Sequence, residues 1–293
     1  MLLSKRVPYT TGFGSNFMNV GAISNHGVEF QLEGVLLSYN DWNWTAGFNI
    51  AFNRSKVLDL ADSEYLAVTD SRAGSNSSTP VRIAKGYSLY TFYTRDYYGV
   101  NPSNGEPLWY DEDGLLTSVS TNARYIYAGS PEPKATGGFN TTLSWKGLSL
   151  SAYFEFVAGN KVFVVSQADF DGANMNLNTT TASLNYWKNP GDTGVLPKPV
   201  AGQPNRSYAY STRNIQDGSY TRIKDITLSY SLPQNALKAI KMKGLKVYVS
   251  ALNPYTFHNI KGVMDAELGI LGYTMGASHT MVKSFVGGVE VSF

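Results

Sequence analysis

The chain has 293 residues, no cysteine, and 24 Lys+Arg against 22 Asp+Glu, for a formal net charge of +2. The missing cysteines exclude a disulfide framework, a thiolate metal site and a cysteine nucleophile, and so even a charge balance speaks against nucleic acid as a partner. Charged residues are 16% and aromatics 13%, against roughly a quarter charged in ordinary soluble domains; with 28 glycines this predicts an all-β protein with unusual surfaces.

The opening "MLLSKRVPYTTG" has Lys5 and Arg6 directly behind its leucines and no apolar run after them. It does not read as a signal peptide, so an exported protein with this start is expected to be a portion of a longer one. Alternation then begins. In "HGVEFQLEGVLLS", Val28, Phe30, Leu32 and Leu36 face one way and Glu29, Gln31 and Glu33 the other; in "WNWTAGFNIAFN", Trp42, Trp44, Ala46, Phe48, Ile50 and Phe52 oppose Asn43, Thr45, Gly47, Asn49, Ala51 and Asn53. A side-chain period of two is that of a strand. Further strands are expected near 88–100 and 136–145. "GLSLSAYFEF", "KDITLSYSLP" and "GLKVYVSALNP" alternate in the same way, and so does the end, where Phe285, Gly287, Val289, Val291 and Phe293 share a face.

The connections alternate in length. "YND" and "WKG" are tight, "PQNALKAIKMKG" is moderate with room for one helical turn, and 159–217 and 256–283 are long. Long structureless connections are unusual in a compact soluble domain but normal on the outer side of a membrane barrel. Each alternating segment approaches the roughly ten residues of a membrane-crossing strand, with Trp42 and Trp44 placed as an interfacial girdle would be. No apolar run approaches the roughly 20 residues of a membrane helix. Periodicity alone leaves two readings open: an antiparallel transmembrane β-barrel, or a soluble sandwich with a core face and a solvent face.

Several segments resemble the C-terminal barrel of SusC/RagA-type TonB-dependent receptors of the Bacteroidetes outer membrane. "DGSYTRIKDITLSYSLP" (217–233) is similar to that family's "DGSYLRLKNITLSYxLP" at almost every position. "NVGAISNHGVEFQL", "YYGVNPSNGEPLWYDEDG", "GSPEPKATGGFNTTLSWKGLSLS", "KVYVSALNPYTFHNIKGVMDAE" and the terminal "FVGGVEVSF" resemble other family segments, in the family's order. One departure is visible: the usual "DPE" reads Met264, Asp265, Ala266, Glu267. The resemblance implies that residues 1–293 are the C-terminal portion of a plugged barrel, about eight to ten strands of it, with the plug and early strands elsewhere. It implies import of glycan oligomers or peptides through the outer membrane, a SusD-like lipoprotein, TonB–ExbB–ExbD acting through the plug, and no cofactor or bond-making chemistry. It also implies that the final Phe293 is read by the barrel assembly machinery. Two alternatives remain: a complete small barrel, acting as a pore or adhesin and closing 26–37 or an earlier strand on 284–293, and a soluble carbohydrate-binding sandwich.

Catalytic motifs are absent: no H-E-x-x-H, G-x-S-x-G, P-loop or G-x-G-x-x-G occurs, and His26, His258 and His279 are far apart in sequence. "DEDG" offers Asp111 and Asp113 as a weak metal candidate. It fails the EF-hand template, because placing Gly114 at the sixth position puts Trp109 at the first and Ser120 at the twelfth. The ligand candidates are aromatics in the expected loops: Trp109, Tyr110, Tyr186, Trp187, Tyr208 and Tyr210. A flat ring there can stack on the C–H face of a sugar.

Overall fold

A computed structural model describes residues 2–6, 10, 12, 15–19, 21–60, 63–69, 78–165, 179–200, 209–239, 242–262, 265–273 and 281–293. A short hairpin, β1 (Leu2–Arg6) with β2 (Ser15–Asn19), comes first. Two long strands follow, β3 (Ala22–Tyr39) and β4 (Trp42–Asp59). The next connection carries β5 (Tyr65–Thr69), β6 (Ser78–Ala84), β7 (Thr91–Arg95), β8 (Tyr97–Val100), β9 (Pro107–Tyr110), β10 (Leu116–Thr117) and β11 (Tyr125–Tyr127). Then come β12 (Ala135–Trp145), β13 (Leu148–Ala158), β14 (Lys161–Phe163), β15 (Ile215–Asp217) and β16 (Tyr220–Ser231). A helix α1 (Gln234–Ala239) leads to β17 (Gly244–His258) and β18 (Ser284–Ser292).

Seven of these strands form one antiparallel sheet in the order β18-β17-β16-β13-β12-β4-β3. Its outer face is apolar and uncovered. Leu32, Phe48, Phe139 and Phe154 stand side by side across four strands. Phe30 is 54% exposed and Leu150 46%; in a sandwich these positions would lie under a second sheet, so that reading fails. Beside the tight turns, Tyr39, Trp42, Trp145, Leu148 and Tyr230 line up in register, and the Trp42 and Trp145 rings stack at 5.4 Å. This is an aromatic girdle at one rim of an apolar band. Asn40 (φ 52°), Lys146 (φ 46°) and Gly147 (φ 86°) supply the left-handed backbone of the two tight turns, which two-residue hairpins require. The strands expected to be the two ends of a small closed barrel, β3 and β18, lie at opposite ends of the sheet order.

The register of β3 against β4 slips between Val35 and Leu37, so Leu36 is the extra residue of a bulge and Leu37 and Tyr39 carry the outer face on, opposite Trp44 and Trp42. The strands expected near 88–100 form as the short β7 and β8, which belong to sheets other than the wall.

Over their described residues the long connections are folded. Sheet β11-β7-β6-β5 has two different faces. One carries Val81 and Phe92, which pack with Phe163 from a second connection and with Leu271 and Tyr273 from a third. Val57, at the far end of β4, joins Leu60 and Ile83 in an adjoining cluster. A compact layer of loops therefore grows out of the strand ends opposite the tight turns.

Candidate functional site

The inner face of the wall is polar. Thr227 Oγ1 donates to Asp225 Oδ1 at 2.9 Å, and Ser250 Oγ donates to Asp225 Oδ2 at 2.7 Å. Lys224 lies 3.1 Å from Glu155. Toward the mouth this face meets the loop layer at Arg222, whose side chain is fully buried. Its Nε donates to Thr256 Oγ1 at 2.9 Å, one terminal nitrogen to Glu267 Oε2 at 2.8 Å, and the other to Asp265 Oδ1. A buried guanidinium needs this full set, since losing one partner leaves an uncompensated charge. Partial burial raises the Asp265 carboxyl, but the Glu267 and Met281 amides and then Arg222 outweigh it and hold the group below its ordinary range. The Asp265–Glu267 segment is thus clamped onto the wall, and Ala266 between them is buried with Val162, Val164 and Tyr220.

Beside this clamp a cavity of about 380 Å³ opens between the wall and the loops. Asn25, Ser55 and Tyr220 come from the wall, and Glu132, Asn160 and Glu267 from the connections. Alternation puts Asn25, Ser55 and Tyr220 on the lumen side of their strands. Glu132 is fixed by the Ser55 backbone N–H at 2.8 Å and the Ser55 hydroxyl at 2.6 Å. Leu89, Val157, Val162 and Ile270 provide apolar wall. Carboxylates and amide oxygens on an apolar cavity suit a ligand that offers hydroxyl or amine donors along an apolar body.

The aromatic candidates separate. Trp109 is 1% exposed, edge-on to Tyr97. Trp187 is 7% exposed and lies on Gly105; a Cβ there would come within 2.7 Å of the indole, and its Nε1 donates to the Pro102 carbonyl at 3.1 Å. Burial takes both tryptophan faces out of reach of a ligand, so their part is loop packing. Tyr210 is half-buried against Phe163 at 5.5 Å. Tyr110 and Tyr186 are half-exposed, each near a cation: Arg124 at 4.9 Å and Lys188 at 5.3 Å. Tyr208 lies outside the described residues. Asp111 spends Oδ1 on the backbone N–H groups of Asp113 at 3.1 Å and Leu115 at 2.8 Å, closing the β9–β10 turn. Among the described residues no group of three or more His, Asp or Glu could hold a metal.

Sequence reasoning missed a second aromatic surface. On the other face of sheet β11-β7-β6-β5, Arg82 lies between the rings of Tyr65 and Tyr93 at 3.9 and 3.7 Å. Tyr127 stacks on Tyr87 at 4.0 Å, and Tyr125 on Tyr93 at 5.3 Å. Tyr65, Tyr87 and Tyr125 remain exposed. The available signal was the period of two in "LYTFYTR", which sets Tyr93 and Arg95 on the face opposite Tyr90 and Phe92.

An antiparallel wall with an apolar outer band, a girdle, a polar inner face and a folded mouth defines a segment of a transmembrane β-barrel. No protein-family model matches the chain. The TonB-dependent receptor P3 of Formosa agariphila is 27% identical over 100% of this chain and 31% of the relative. The TonB-dependent receptor SusC of Bacteroides thetaiotaomicron is 26% identical over 92% of this chain and 26% of the relative. Among solved structures, the RagAB peptide transporter superposes with a TM-score of 0.82 at 30% identity, over 100% of this chain and 32% of that one. By these likenesses the chain is similar to TonB-dependent receptors of the SusC and RagAB kind, matched to their C-terminal part. It spans about a third of their length or less.

Proposed function

We propose that this chain is the C-terminal barrel portion of an outer-membrane nutrient importer of the SusC/RagA type. It would take up glycan oligomers or peptides together with a SusD-like lipoprotein, with TonB–ExbB–ExbD acting through a plug elsewhere in the receptor. The observation that carries this reading is the two-sided wall whose mouth is closed down by a folded loop layer around a lumen-side cavity. A simple pore has no use for a clamped mouth; an importer that must hold its cargo does. Likeness to a RagAB peptide transporter supports the peptide class, and the motif resemblance of the sequence keeps glycan oligomers beside it. Within the site, the cavity at Glu132 and Glu267 would receive donor groups, while Tyr110, Tyr186 and the Tyr–Arg face would meet the cargo before entry.

The test is uptake by cells that carry the intact receptor. Fluorescent oligosaccharides and peptides are supplied with and without a proton uncoupler, and the receptor is then deleted. Importer function predicts that uptake of one class depends on both the receptor and the proton gradient. Uptake that persists with the uncoupler would make it a passive pore.

A further inference from the structure

On the outer face of β3 and β4 the apolar ladder ends at Val28 opposite Phe52. The same alternation continues with His26 opposite Arg54 and Ser24 opposite Lys56, so Arg54, Lys56 and His26 stand on the lipid-side face just past the apolar band. The run from Trp42 at the girdle to Phe52 matches the roughly 9–11 residues that cross a bilayer. Arg54 and Lys56 then lie about 7 and 13 Å further along the strand, at roughly 3.3 Å per residue, at headgroup height.

The two rims treat their cations differently. At the girdle rim, Lys146 sits 3.7 Å from Asp41. At the loop rim, neither Arg54 nor Lys56 has an ion pair or a ring contact among the described residues, and both are exposed. The carboxylates nearby are engaged elsewhere: Asp59 faces Lys85 at 3.8 Å, and Glu132 is held by Ser55 on the lumen side. Neighbouring like charges on one face of a sheet repel, and an anion placed between them reverses the sign.

We propose that Arg54 and Lys56, flanked by His26, bind the phosphate of an outer-leaflet lipid headgroup, whose acyl chains lie on Val28, Phe30 and Phe52. Recognition has two parts, a phosphate on the cations and chains on the continuous apolar face below. The inference rests on the reading of the sheet as a membrane wall.

The experiment uses the intact receptor in non-ionic detergent, with retained lipid read by native mass spectrometry. The probes are phosphatidylglycerol, lipid A, phosphatidylcholine and inorganic phosphate. Expected is retention of the two anionic lipids over phosphatidylcholine, and a fall of roughly tenfold or more in the R54Q/K56Q variant, since each cation near an anionic surface carries a substantial share of the attraction. The charge-preserving R54K/K56R variant should retain lipid, and K146Q at the other rim should change nothing. Unchanged retention in R54Q/K56Q, or an equal loss in K146Q, overturns the proposal. Displacement of the lipids by millimolar inorganic phosphate would mark a free-anion site and overturn it too. A receptor that stays soluble without detergent would instead sink the membrane-wall reading itself.

Discussion

The wall and the loop layer are built from the same backbone pattern but fold on different terms. In the wall, each strand needs only its neighbours: the pairs β3·β4, β12·β13 and β16·β17 are adjacent in the chain, and lipid takes the place of a core. In the loop layer the hairpins are local but the core is not. Phe92, Phe163 and Tyr273 meet from three separate connections, so that core exists only after the wall has brought its strand ends together. The wall therefore tolerates polarity changes on one face and not on the other, whereas the loop layer depends on a few buried side chains.

The largest effects expected follow from that dependence. Phe163 is fully buried at the centre of the loop core, and Phe163→Ala should cost about 3–5 kcal/mol by cavity formation. Hydrogen exchange on the intact receptor should show the loss in 79–127 and 210–217, with the wall amides still protected; a wall that opened along with the loops would erase the distinction between the two regions. Arg222→Ala should cost a similar 3–5 kcal/mol, because Asp265 and Glu267 would be left without their buried partner. Limited proteolysis should then cut around 259–262 far faster than in the parent. Unchanged proteolysis would mean that the clamp does not hold the segment.

The wall should answer to a different substitution. Phe139 lies near the middle of the apolar band, beside Phe48 and Phe154. Phe139→Arg should cost about 2–4 kcal/mol of barrel stability in bilayers, while Thr142→Arg on the lumen face should cost far less. Heat-modified mobility of the two variants on gels reads the difference. Equal losses would contradict the assignment of faces.

These differences also decide what could be read in the sequence. The faces of β4, β13, β16 and β17 were legible because one side must be apolar for lipid, which writes the period of two into the residues. The outer ends were not. β3 begins at Ala22 and β4 runs to Asp59, beyond the apolar ladder, because there the backbone pairing continues while the outward residues become His26, Arg54 and Lys56. The bulge at Val35–Leu37 was hidden by three consecutive apolar residues, which fit either register. Site residues fared worst for the same reason that the loop core was hidden. Arg222 lies in "SYTRIK" and Asp265 and Glu267 in "MDAE", and only tertiary contact makes them one cluster. Trp109 and Trp187 stand out in the sequence as loop aromatics, but a folded loop layer needs large apolar side chains of its own and buries them.

The smallest effect separates the two regions by pH. Asp265 and Asp217 both lie in the loop layer with carboxyls held below the ordinary range, Asp217 by the Ser219 hydroxyl and backbone N–H. A folded-state pKa below the unfolded value contributes stability that is fully present above the ordinary carboxylate pKa of about 3.9 and is lost as pH falls through the folded value. Loop docking should therefore be constant from neutral pH down to about 5 and weaken only below about 4. Hydrogen exchange at 215–219 and 265–269, corrected for the intrinsic pH dependence of exchange, should rise there while amides of β12 and β13 stay protected. Protection of both loop segments that held through pH 3 would mean that these carboxylates do not hold the mouth, and would leave the Phe163 core as its main fastening.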